Sequence, residues 1–228
     1  MAPLDFLASN LQESFMSMRK TLIGVFFSSV AAASVSAAGV SADFNSGPQG
    51  FFISGDGLLA HVVSGGNGYL SVTDTNGNTD VYLNAPIAAG GEDWSAYLGG
   101  TLSFDGIMLN GISPSWAGFG TVTFTSTTGQ TAYADIAPDV GGVITEPGTT
   151  WKTYSATLSN AAFNQGSAPL STVLGSLAGV SFSMEAGNGP VEVVGFDNFK
   201  VTPAVPEPAT WLLGAVGLVA LGAASRKR

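Results

Sequence analysis

His61 is the only histidine of this 228-residue chain, and there is no cysteine. Thiol chemistry is therefore excluded. A Ser–His–Asp site or a histidine-built zinc site would have to rest on one imidazole, without a Gly-x-Ser-x-Gly elbow. His61 follows Leu58-Leu59-Ala60 and reads as a strand or edge residue. What is left is the chemistry of carboxylates and aromatic faces. Asp74-x-Asn76-x-Asn78-x-Asp80 has the spacing of a calcium loop but carries Thr79 where the turn glycine belongs and Ala85 where a bidentate Glu belongs. Its polar side chains fit a turn better, bonding local backbone groups. Glu92-Asp93, beside Trp94, are sequence neighbours and cannot flank a glycosidic bond at the ~5–9 Å that two-carboxylate hydrolysis needs. They read as solvated loop charge. Trp94, Trp116, Trp151, Tyr69, Tyr82, Tyr97 and Tyr133 offer flat apolar faces for stacking on sugar rings. Trp116, in the Gly111–Gly120 loop, is the expected exposed platform and Trp94 the second candidate, whereas Trp151 reads as core.

The elements that must hold these residues are strands. Short runs rich in β-branched and aromatic residues recur between turn signals at Gly50–Ile53, Tyr69–Thr73, Asp80–Leu83, Gly100–Leu109, Gly120–Ser126, Trp151–Leu158, Val180–Met184 and Val191–Val201. Asn76-Gly77 signals a type I′ hairpin between two of them. One helix is expected, Pro169–Leu177, with Leu170, Val173, Leu174 and Leu177 on one face. The fold class is thus all-β, a two-sheet antiparallel β-sandwich, jelly-roll and galactose-binding-like. In jelly-roll binding modules the terminal strands lie together. Asp43 in the first strand and Asp197 in the last are accordingly the candidate ligands for a structural Ca²⁺. The simpler reading is that Asp197 tightens a turn and Asp43 is an exposed terminal residue.

Thirteen of the sixteen Asp and Glu lie in Gly39–Pro203, against Lys152 and Lys200 alone. Such a surface repels phosphate, which excludes nucleic acid as an electrostatic partner and leaves divalent cations or neutral partners. Without disulfides the fold must stand on its core, and about 165 residues suffice for one domain.

Both ends of the chain read as sorting signals. Arg19-Lys20, the apolar run Thr21–Ala33 and the small-x-small site Val35-Ser36-Ala37 make residues 1–38 a signal peptide. Translation starting at Met16 or Met18 would remove the acidic residues that precede the basic pair. At the other end Pro206-Glu207-Pro208 is followed by an uncharged run, Ala209–Ala224, and by Arg226-Lys227-Arg228. As a helix the run measures ~24 Å, slightly short of the ~30 Å hydrocarbon core, so spanning relies on local thinning or on its flanks. The cations would stay on the cytoplasmic side and the body outside.

This tripartite tail, Val205–Arg228, resembles the PEP-CTERM sorting signal of Gram-negative bacteria that make exopolysaccharide. The resemblance implies recognition by an exosortase, a membrane-embedded cysteine transpeptidase, with cleavage near Pro206-Glu207-Pro208. These residues are then substrate rather than catalyst. After transient inner-membrane anchoring the protein would reach the cell surface, the outer membrane or the extracellular matrix. A second resemblance spans Phe44–Val201. Asn67-Gly68-Tyr69-Leu70, Asp74, Val81–Pro86, Trp94–Tyr97, Gly100–Phe104, Trp151–Tyr154, Leu170–Leu177, Ser181–Glu185 and Gly195–Phe199 follow the order of the laminin B (laminin IV) domain. It implies a jelly-roll at 39–202 with a matrix or adhesion role and no catalysis, followed by a linker and sorting signal at 203–228. The cysteines of many extracellular relatives are absent. The function expected is a non-enzymatic exported protein associating with exopolysaccharide or another glycan. A secreted polysaccharide hydrolase and a purely structural surface protein are the alternatives.

Overall fold

Alternation of buried and open side chains sets the architecture. In β6 (Thr101–Met108), β7 (Thr121–Ser126) and β8 (Thr131–Asp135), every second residue is buried: Leu102, Phe104, Gly106 and Met108, then Val122, Phe124 and Ser126, then Ala132 and Ala134. That period of two is what a sheet with one covered face requires. The computed structural model describes residues 38–77, 79–139, 141–187 and 192–204. The expected signal peptide, but for Ala38, and the sorting tail, but for the first residues of the linker, lie outside the described residues. Among the described residues no helix is long and apolar enough to cross a membrane.

The remaining strands are β1 (Val40–Ala42), β2 (Phe52–Ser54), β3 (Gly57–Ser64), β4 (Asn67–Asp74), β5 (Tyr82–Ala85), β9 (Lys152–Thr157), β10 (Gln165–Gly166), β11 (Leu177–Ser183) and β12 (Val193–Thr202). They form two six-stranded sheets. The first runs β3-β4-β12-β6-β9, with β1 also paired to β12, and the second runs β10-β8-β7-β11-β5-β2. Every pairing is antiparallel, which makes the molecule the expected two-sheet jelly-roll sandwich.

Phenylalanines join the sheets. Phe104 and Phe196 of the first stack at 4.9 Å between ring centroids, and Phe182 of the second meets them at 5.4 and 5.1 Å. All three are fully buried, so truncating any of them should cost ~3–5 kcal/mol. The short helix α1 (Leu170–Leu174) buries Leu170, Val173 and Leu174, and Leu177, expected as its last apolar turn, opens β11 instead.

Two expectations are corrected by this topology. Asn76-Gly77 does not close a hairpin. β4 pairs with β3 and β12, whereas β5 pairs with β2 and β11, so this segment carries the chain from one sheet to the other. The tight hairpin is β3–β4, turned by Gly65-Gly66 at φ 62° and 88° with Ser64 opposite Asn67. Positive φ at both central residues is the type I′ requirement, and glycine meets it as readily as Asn-Gly. Trp151 is not core. It is 41% exposed and lies on the outer face of the first sheet, edge-on to Tyr69 and directly over Gly195, where an added Cβ would come within 2.9 Å of its ring.

Candidate functional site

The outer face of the second sheet is built by the same alternation that fills the core. With Val122, Phe124, Ala132, Leu83 and Phe182 inward, Thr121, Thr123, Thr131, Tyr133, Tyr82 and Ser183 point outward. Register aligns them in rows across the strands. Tyr133 stands opposite Thr123, Thr123 opposite Ser181, and Ser181 opposite Asn84. In the next row Ser183 stands opposite Tyr82. A cavity of about 360 Å³ opens on this face, lined by Asp80, Tyr82, Gly118, Thr121, Thr123, Thr131, Tyr133 and Ser183. Two phenol rings thus border a floor of hydroxyls. Tyr82 donates its hydroxyl to Asp80 Oδ2 at 2.9 Å. Burial, together with this bond and the Asp80 charge, pushes the Tyr82 phenol up, so it stays a neutral donor.

Trp116 is 46% exposed at the edge of this groove. Its backbone N–H donates to Ala186 O, and its indole lies over Gly118, where a Cβ would come within 2.9 Å of the ring. Trp94 sits elsewhere and faces inward. It is 4% exposed, its Nε1 donates to Glu92 Oε2 at 2.8 Å, and its ring packs against Tyr97 at 5.3 Å. As a stacking platform Trp94 is therefore corrected to a core residue. Glu92 also accepts from Ala88 N–H, and its backbone bridges Leu177, so it clamps the loop rather than carrying free charge. His61, on edge strand β3, uses Nε2 on Phe44 O at 2.7 Å.

The Asp43 charge reaches Asp197, but neither carboxylate is idle. Asp43 accepts from Asn45 N–H, from the Asn45 amide and from Gln49 Nε2. Asp197 accepts from Asn67 Nδ2 at 2.8 Å and from Asn198 N–H at 2.7 Å. Burial raises the Asp197 carboxyl; those hydrogen bonds oppose the rise, and Asp105 and Asp43 add to it.

A different acidic group is the most buried one. Asp74 at the end of β4, Glu185 just after β11 and Glu192 just before β12 bring one oxygen each to within 4.8 Å of the others. Burial, then the Glu192 and Asp74 charges, push the Glu185 carboxyl up to about 7. Glu185 and Glu192 lacked any sequence signal, because they lie more than a hundred residues from Asp74 and no motif spaces them. The hydroxyl floor did leave a trace, the strict alternation Thr121-Val122-Thr123-Phe124-Thr125 and Thr131-Ala132-Tyr133-Ala134.

Residues 204–228 match the PEP-CTERM protein-sorting motif. No curated protein matches the chain in sequence. Among solved structures it is similar to an exo-β-agarase at 16% identity and a TM-score of 0.49, covering 70% of this chain and 24% of that one. It is similar to CtCBM11 at 16% identity and 0.48, covering 75% and 99%. The L4b domain of human laminin α-2 follows at 9% identity and 0.40, covering 54% and 70%. The chain thus spans about a quarter of the agarase, and none of these likenesses carries a ligand over to it. What residues 204–228 do place on this chain is a protein-sorting signal of the PEP-CTERM kind.

Proposed function

We propose that the chain is an exosortase substrate, exported to the cell surface or its surrounding matrix, whose sandwich binds a neutral polysaccharide without cleaving it. The observation that carries the binding is the groove between Tyr82 and Tyr133. Sugar rings present apolar CH faces that stack on phenols, and equatorial hydroxyls that pair with Thr, Ser and Asp oxygens. Trp116 extends the aromatic edge. The acidic body favours a neutral chain over an anionic one. A laminin B-like assignment of residues 39–202 is part of the same reading and rests on the order of residues along the sequence.

Catalysis has less support. Among the described residues Asp80 is the carboxylate lining the groove, and it accepts the Tyr82 hydroxyl. Hydrolysis would need a second carboxylate facing it across the bond. The test is a binding screen of the full chain against neutral and anionic polysaccharides, with Tyr133→Ala and Tyr82→Phe as variants. Binding to a neutral glycan that Tyr133→Ala weakens at least tenfold is expected. Binding unaffected by both variants, or release of reducing sugar, would overturn the reading.

A further inference from the structure

We infer that Asp74, Glu185 and Glu192 form a binding site for a hard divalent cation, calcium by size, separate from the sugar groove. Three carboxylates converge here, and the one ion pair among the described residues, Lys152 with Glu146, involves none of them. Asp74 is 1% exposed, Glu185 5% and Glu192 2%. Part of each group's bonding capacity is used. Asp74 Oδ1 accepts from Asn76 N–H at 2.9 Å, and Glu192 Oε1 accepts from Gly187 N–H at 3.0 Å and Ala186 N–H at 3.3 Å.

The rest is not. Asp74 Oδ2 and Glu185 Oε2 are buried and have no hydrogen-bond partner among the described residues. A buried carboxylate oxygen without a donor is rare, because burial costs it hydration that only a donor or a cation can offset. Two of them in one group of three converging carboxylates are explained together by a bound cation.

Size and donor type select the ion. The converging oxygens lie within 4.8 Å of one another. Calcium–oxygen bonds of about 2.3–2.6 Å set ligand oxygens at most ~5 Å apart across the ion, so calcium fits with little movement. Magnesium needs a tighter octahedron, and zinc prefers nitrogen and sulfur donors. This site is unrelated to the Asp74–Asp80 spacing, since its other two ligands come from Glu185 and Glu192.

Position gives the ion a role. Asp74 ends a strand of the first sheet, and Glu192 leads into β12 of the same sheet, with Asp74 N–H bonded to Glu192 O at 3.1 Å. Glu185 follows β11 of the second sheet. The cation would join the two sheets at one end of the sandwich. That end adjoins the groove, since a Cβ on Gly118 would lie 3.2 Å from Glu185 O and the Ala186 carbonyl holds Trp116.

The full chain, stripped with a chelator, is titrated with CaCl₂ and followed by calorimetry and by thermal melting. Calcium is expected to bind and to raise Tm by several degrees, because it binds the folded state selectively. Glu185→Gln removes one of three like charges. It should therefore fold without calcium, melt no lower than the stripped wild type, and lose the calcium shift. Asp74→Asn should lose the shift as well. No calcium response in the wild type, or a response retained by either variant, would overturn the assignment.

Discussion

Asn67 and Asp197, 130 residues apart, are joined by a 2.8 Å hydrogen bond from the Asn67 amide to Asp197 Oδ2. The bond ties the start of β4, just past the Gly65-Gly66 turn, to the bulge of the last strand, where register shifts between Asp197 and Lys200 and Asn198 adopts φ 50°. Asp197 is 2% exposed and also accepts from Asn198 N–H and, at 3.4 Å, from the Asn198 amide, so its carboxylate serves three donors at the place where the strand is irregular. Asp197→Ala should cost about 1–3 kcal/mol by taking the acceptor away from the Asn67 amide and the Asn198 N–H. Asp197→Asn keeps an acceptor and drops the repulsion from Asp105, so its loss should be smaller. Urea denaturation of the two variants checks the order.

Gly66 turns the β3–β4 hairpin at φ 88° with no atom near its missing Cβ. Gly66→Ala therefore tests backbone strain and nothing else. A loss of about 1–2 kcal/mol is expected, without change in the denaturant slope. Equal stability would mean that the turn relaxes.

Gly65-Gly66 also marks what local sequence does not specify. Both Gly-Gly and Asn-Gly can form a type I′ turn, and local chemistry does not reveal which strands pair afterwards. The backbone of Asp74 bonds to Glu192, far along the chain, and that pairing sends β5 into the other sheet. Strands with strict alternation, β6 and β7, were legible, whereas β10, two residues long, had no pattern to show. Thr121 and Thr123 fall in an expected strand, but β8, which carries Thr131 and Tyr133, was not among the strands expected, and an outward face becomes a site only when register aligns it. The buried carboxylates were not legible at all, since proximity across two sheets is a property of topology.

Trp94 and Trp116 separate stability from binding. Trp94→Ala removes a buried ring and the donor to Glu92, so a loss of ~3–5 kcal/mol is expected, seen in thermal or urea melts. Trp116→Ala, at 46% exposure, should change stability by no more than about 0.5 kcal/mol. It should nevertheless weaken glycan binding measurably. A Trp116 variant that unfolds would place the ring in the core, and one that binds unchanged would remove it from the groove.

Glu146 gives a pH signature. Burial raises its carboxyl, but hydrogen bonds from Lys152 and Tyr154 outweigh this, and the net position is below the ordinary 4.5. In acid the unfolded chain takes up this proton first. The contribution of Glu146 is therefore present above about pH 4.5 and is lost as pH falls through the lower folded value. Wild type should exceed Glu146→Gln in stability at pH 6, with the gap closing toward pH 3. A gap that widens on acidification would reverse the sign of this shift.

Glu207 and its flanking prolines give the sorting prediction. Pro206-Glu207-Pro208, the uncharged run Ala209–Ala224 and Arg226-Lys227-Arg228 all fall within the matched sorting motif at 204–228, and the proposed exosortase processing would cut near the Pro-Glu-Pro. Wild-type cells should yield a product lacking the residues beyond the Pro-Glu-Pro. Cells without their exosortase should retain the full-length tail in the membrane fraction, as should a Pro206→Ala, Glu207→Ala, Pro208→Ala variant in wild-type cells. Mass spectrometry of the C-terminal peptide reads the difference directly. An identical C-terminus in all three would show that the tail anchors the protein without being processed.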